Sequence, residues 1–124
     1  MKKIIVVIVI FQTAFNLGVA AQKNAEYDMP ADSTAESSKQ AFIKQFKQGK
    51  ILYNITCARC HNFKEGRKEI IPDFSMPQLM DYEMRFYYPE HQERLTDTKI
   101  TDEEMNRIIL FLRFKKRSGR PIHG

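Results

Sequence analysis

Two cysteines and a histidine stand together in the stretch NITCARCHNF, as Cys57-Ala58-Arg59-Cys60-His61, and the chain has no other cysteine. Two thiols separated by two residues can close a disulfide, grip a zinc ion or bond covalently to a cofactor. A thioredoxin-like dithiol belongs in a βαβ context, and no strand-like alternation surrounds this pair. A structural zinc site takes four ligands at finger-like spacing, and the remaining histidines, His91 and His123, are distant and unevenly placed. Cys-x-x-Cys followed at once by His is the attachment pattern of c-type haem. Each thiol adds across one vinyl group of the porphyrin, and the spacer matches the separation of the two vinyls. His61 then follows in position to ligate the iron from the same side. The motif predicts one covalent haem c, with Cys57 and Cys60 as thioether residues and His61 as proximal ligand. A small zinc-binding or dithiol redox module is the alternative from a different class.

The elements that must position these residues are helical by their spacing. Phe42, Phe46, Gly49 and Tyr53 recur at steps of four, three and four, which predicts a helix over about Ser37 to Asn54. Gly49 lies on its apolar face, where a glycine is easiest to justify if another backbone passes closely. A second helix is expected over Met76 to Tyr87, opened by a Ser75–Gln78 capping box with Pro77 in the first turn and stopped by Pro89. Leu79, Tyr82 and Phe86 form one stripe of it, and Met80, Met84 and Tyr87 an adjacent one. The last helix starts at a Thr101–Glu104 capping box and repeats apolar residues at Met105, Ile108, Ile109 and Leu112. Lys115, Lys116 and Arg117 are expected at its C-terminal end, with Gly119 and Pro121 closing it. With no period-two segment, the fold class expected is all-α, with three to five helices.

Composition bounds the rest. A chain of 124 residues, 43% of them hydrophobic, supports one domain with a small core, which a large apolar cofactor would fill. Met1-Lys2-Lys3 followed by the apolar run Ile4 to Phe11 and the small residues Val19-Ala20-Ala21 reads as a signal peptide over 1–21. The alternative is an uncleaved N-terminal anchor, since residues 4–21 are just long enough to span a bilayer. Export places the cysteines where thiols are oxidised or otherwise occupied. Loss of Lys2 and Lys3 lowers the net charge from +5 to +3, a mild excess that does not point to nucleic acid. Residues 22–36 read as a flexible polar leader, residues 37–118 as the domain and residues 119–124 as a tail.

Over about residues 40–116 the chain resembles a class I cytochrome c. The resemblance is carried by GKILYNITCARCHN and by the capped final helix ITDEEMNRIILFLRFKK. It implies a cytochrome c-like fold in which the helix bearing Gly49 crosses the last helix near Phe111, and Tyr53 packs beside the haem. It also implies that a proline carbonyl accepts the ring N–H of the proximal histidine, which would orient the ring. Pro72 in EIIPDFS is the residue expected there, its alternative role being an ordinary loop proline. Family members place a methionine on the other face of the iron, shortly before the final helix. Here the sequence departs from them, because YYPEHQERLTDTKI contains no methionine and does contain His91. His91 is therefore the expected distal ligand, with Met84, Met76 and Met80 as alternatives and an open iron as the remaining case. Met105 is read as core packing.

The function implied is that of an exported, periplasmic monohaem electron carrier rather than an enzyme. A fixed haem subunit of a larger redox complex is the runner-up, and a sensor or peroxidase-like role would need the open iron. Lys44, Lys47, Lys50, Arg59, Lys64, Arg67 and Lys68 cluster around the motif, while residues 73–104 are richer in acids. Redox donor and acceptor proteins are the expected partners, an acidic face on one of them being favoured. No nucleic-acid partner is expected, and membrane contact only if the N-terminal segment is retained.

Overall fold

The computed structural model describes residues 25–95 and 99–122. Residues 1–21, expected to be a signal peptide, the start of the expected leader and His123 lie outside the described residues. Six helical segments and one short hairpin appear among them: α1 (Glu36–Thr56), α2 (Ala58–His61), β1 (Phe63–Glu65), β2 (Lys68–Ile70), α3 (Met76–Met80), α4 (Tyr82–Phe86), α5 (Pro89–Arg94) and α6 (Asp102–Phe114). The molecule is mostly helical, one segment beyond the expected range. No helix among the described residues is long and apolar enough to cross a membrane.

The frame is the crossing of α1 over α6. Phe42, Phe46, Gly49 and Tyr53 of α1 are buried, as are Met105, Ile108, Phe111 and Leu112 of α6. Gly49 sits where the two backbones meet. A Cβ added there would stand 1.9 Å from the Arg107 carbonyl oxygen and 2.6 Å from its carbon, both backbone atoms that cannot swing aside. Aromatic rings fill the interface on either side: Phe46 against Phe111 at 5.2 Å, Tyr53 against Phe111 at 5.6 Å, and Phe42 edge-on to Phe114 at 5.3 Å. Such pairs add about 0.5–1.5 kcal/mol each beyond their buried area. The Thr101–Glu104 capping box is formed in both directions, at 2.9 and 3.2 Å.

Several elements differ from the sequence expectation. The helix expected over Met76 to Tyr87 is two: its Ser75–Gln78 capping box is present, but Asp81 breaks the run with ψ near 13°. Asp competes for its own backbone and tolerates such a break. Of the two stripes, Leu79, Tyr82 and Phe86 face the core, whereas Met80, Met84 and Tyr87 are exposed. Pro89 opens α5 at its first position as well as ending α4, because its missing N–H costs nothing there. A hairpin joins α2 to the following loop, pairing Phe63 with Ile70 around Gly66 at φ 59°. Its three-residue strands are too short to leave a period-two signal.

The end of α6 is the largest difference. The helix stops at Phe114, and Lys115 is extended and buried. Its ammonium donates to Asp73 Oδ1 at 2.6 Å, and the Ser118 and Gly119 amides donate to the same carboxylate at 2.9 and 2.8 Å. The Asp73 amide and carbonyl meanwhile bond Arg120 and Ile122, so the tail runs alongside the loop after β2. On the same stretch, Glu26 and Asp28 bond the backbone of Lys116 and Phe114, and the Tyr27 ring lies 5.0 Å from Phe46. Parts of both the polar leader and the tail thus pack on the domain, because an extended strand-like end to α6 offers them a backbone edge.

Candidate functional site

Helix α1 delivers the cysteine motif. Its last buried residue is Tyr53, whose carbonyl accepts the Cys57 amide at 2.8 Å. The chain then winds one more turn, with the Cys60 and His61 amides donating to the Cys57 carbonyl at 3.2 and 3.1 Å. Residues three apart on such a turn lie on one flank, which puts both thiols on the same side. Neither thiol is in a disulfide; Cys57 is half-buried and Cys60 exposed. The Thr56 hydroxyl donates to the Leu52 carbonyl at 2.6 Å and its oxygen lies 3.2 Å from Cys57 Sγ. Burial pushes the Cys57 thiol up, the Thr56 contact opposes this, and a charge on Cys60 would add to it. A redox dithiol needs a stabilised thiolate, and this environment favours the thiol.

His61 ends α2 half-buried, with its ring edge-on to Phe74 at 5.9 Å. Burial pushes its imidazolium down from the ordinary value, and His91 and Arg94 act in the same direction. Neutral imidazole is the form that ligates metal. Facing it from α5 is His91. The two ring centroids are 6.0 Å apart and the planes are inclined by 26°. His91 Nδ1 is buried and has no hydrogen-bond partner, which leaves a desolvated polar atom unsatisfied at a cost of about 1–3 kcal/mol.

The other sequence candidates fall elsewhere. Met76, Met80 and Met84 are 41%, 74% and 66% exposed, and none is packed into the core. Pro72 is fully buried. Asp73 after it is pinned to Lys115 and the tail, and the ring that this loop turns toward His61 is Phe74. Tyr53 is 0% exposed and packs on Phe111. Its hydroxyl donates to Asn62 Oδ1 at 2.9 Å, and Asn62 Nδ2 donates to Glu69 at 3.3 Å. Tyr53 therefore locks the motif and the hairpin to the crossing; burial pushes its hydroxyl far above the ordinary range, so it stays a donor.

Asn62, Phe74 and the Asp73–Lys115 pair were not singled out by sequence reasoning. Asn62 was legible as the polar residue directly after His61. Phe74 and the pair carry no local signal, since each partner is distant along the chain.

The donor set also discriminates between metals. Among the described residues, no three His, Cys, Asp or Glu side chains come together as a metal site, so a zinc ion would lack its usual four protein ligands. A porphyrin carries its own four nitrogens and asks the protein for axial ligands only. Two thiols on one flank of a single turn, ending in a neutral imidazole that faces a second imidazole, fit that requirement. Compared with known proteins, the chain matches no family model, no curated protein sequence and no solved structure.

Proposed function

We propose that the chain is an exported monohaem c-type cytochrome, a carrier of single electrons, with a cytochrome c-like domain over residues 37–118. The observation that carries this reading is CARCH on a one-turn helix, with its histidine facing a second imidazole. The α1–α6 crossing at Gly49 supports it as well, because it supplies the helix contact that the resemblance implies.

When bound, the haem supplies a one-electron Fe(II)/Fe(III) couple. The chain's own residues do the rest. Cys57 and Cys60 would each add S–H across a vinyl double bond, sulfur to the carbon next to the ring and hydrogen to the terminal carbon, with nothing lost. That addition consumes thiols, the form that the Cys57 environment favours. His61 would ligate the iron through a neutral nitrogen. Tyr53, through Asn62, holds the motif against the helix crossing so that the attached group keeps one orientation. Arg59, Lys64, Arg67 and Lys68, close to the exposed Cys60 along the chain, are all exposed, which would favour an acidic partner at that edge. Lys50, by contrast, is engaged by Glu26 at 2.6 Å.

The test is covalent haem staining of the denatured full-length protein, produced in an exporting host that matures c-type cytochromes. Haem is expected to migrate with the chain and to be lost when Cys57 and Cys60 are both replaced by Ala. An unstained wild-type chain overturns the proposal.

A further inference from the structure

We infer that His91 is the second axial ligand of the haem iron, opposite His61, and that this bond is also the clasp that ties α4–α5 to the cysteine motif. The inference rests on the haem reading above.

Three observations converge on it. The first is the span between the rings. Two imidazoles sharing one metal sit about 2 Å from it through their nitrogens, and each ring centre lies roughly 1 Å further out, giving about 6 Å in all. The His61 and His91 centroids are 6.0 Å apart in a stacked arrangement with planes inclined by 26°, so the separation matches, and ligation asks each ring to turn a nitrogen toward the iron. An ordinary ring contact is the rival explanation, since offset aromatic pairs also reach about this distance. A half-buried pair of imidazoles with no bond between them gains little from such a contact, however. The second observation weighs against the rival too: His91 Nδ1 is buried and unpartnered, an arrangement that a mere packing role would not maintain. The third is the position of the methionines. Met76, Met80 and Met84 are all exposed, whereas the ring that lies beside His61 is that of His91.

The clasp follows from how α5 is attached. As a helix it packs on α4 alone, with Gln92 Nε2 donating to the Phe86 carbonyl at 3.0 Å. What it offers toward the cysteine motif is the His91 ring. A metal bond there would close the arm onto the domain. It would also saturate the iron, leaving no position for a small gas or peroxide, and would set a lower potential than a methionine ligand.

The experiment uses the full-length, haem-loaded protein. Covalent haem in the denatured chain comes first, and its absence removes the haem reading itself. With haem present, the oxidised wild type is expected to show no long-wavelength iron–sulfur charge-transfer band, and the reduced form no carbon monoxide binding on mixing. His91→Ala is expected to bind carbon monoxide rapidly, and added imidazole to restore the wild-type spectrum. His91→Met is expected to raise the midpoint potential. Limited proteolysis reads the clasp: cleavage within residues 76–95 should accelerate in His91→Ala, and imidazole should not reverse it, because free imidazole fills the iron without holding the arm. A charge-transfer band in the wild type overturns the ligand assignment even if the variants do not fold. An unchanged spectrum in His91→Ala, or a changed one when Met76, Met80 and Met84 are replaced together by Leu, does the same. Unaltered cleavage in His91→Ala removes the clasp alone.

Discussion

The α1–α6 crossing and the arm from Met76 to Leu95 are both helical, yet they are held in different ways. At the crossing, two long helices meet backbone to backbone at Gly49, and five rings (Phe42, Phe46, Tyr53, Phe111 and Phe114) close the seam. In the arm, three short helices bury only Leu79 outright among the described side chains and leave Met80, Met84, Tyr87 and Tyr88 facing solvent. The crossing specifies itself through side-chain volume. The arm carries His91, the ligand proposed above, and its place depends on what that side chain meets. Stability is thus concentrated at the crossing, while the segment between its two helices has few buried contacts and is the easier to open locally.

Substitutions at the crossing should have the largest effects. Gly49→Val puts a branched side chain against the Arg107 carbonyl, a clash worse than the usual overpacking cost of about 1–3 kcal/mol. Circular dichroism is expected to show little folded protein. Retained cooperative melting would mean that the helices do not meet as described. Next is the buried ion pair beside the crossing. Lys115→Met leaves the Asp73 carboxylate with its amides but without its cation, and a loss of about 3–5 kcal/mol is expected in urea denaturation.

The same carboxylate sets an acid limit. Burial raises the Asp73 pKa, but the Lys115 ammonium and the Ser118 and Gly119 amides outweigh it and hold the carboxyl below its ordinary value. A depressed folded-state pKa contributes stability above the unfolded value of about 3.9, and that stability is lost as pH falls toward the folded value. Wild-type stability should therefore decline below about pH 4, and the decline should be shallower in Asp73→Asn. Equal slopes for both proteins would exclude Asp73 as its source.

A smaller effect probes the joint between the two regions. Tyr53→Phe removes the donor to Asn62 and should cost about 0.5–1.5 kcal/mol. Hydrogen exchange is expected to speed up at the motif and hairpin while α6 remains protected; uniform acceleration would show that Tyr53 serves the core alone. Smallest of all, Met80→Ser and Met84→Ser on the exposed face of the arm should change stability by no more than about 0.5 kcal/mol. A larger loss in either would mean that this face is covered.

Much of the crossing was legible in the sequence. Phe42, Phe46, Gly49 and Tyr53 on one side and Met105, Ile108 and Leu112 on the other mark their faces by spacing alone, and both capping boxes form as their residues suggest. The arm was legible only in part. Its apolar stripe identified Leu79, Tyr82 and Phe86 as core-facing, but the break at Asp81 and the start of α5 at Pro89 depend on local backbone balances that periodicity does not register. The end of α6 was misplaced because Lys115 looked like a helix-terminal cation until Asp73, far away in the chain, turned out to be its partner.

By itself the sequence determined the chemistry on offer: Cys57, Cys60 and His61 lie within one turn, so short-range covalent geometry fixes their relation whatever the rest of the chain does. It also determined the two long helices, since their apolar faces repeat within each element. Only the tertiary structure decided that the His91 ring comes to lie 6.0 Å from the His61 ring. That pairing spans thirty positions, and a separation of that length is fixed by how the helices pack, which no local pattern encodes.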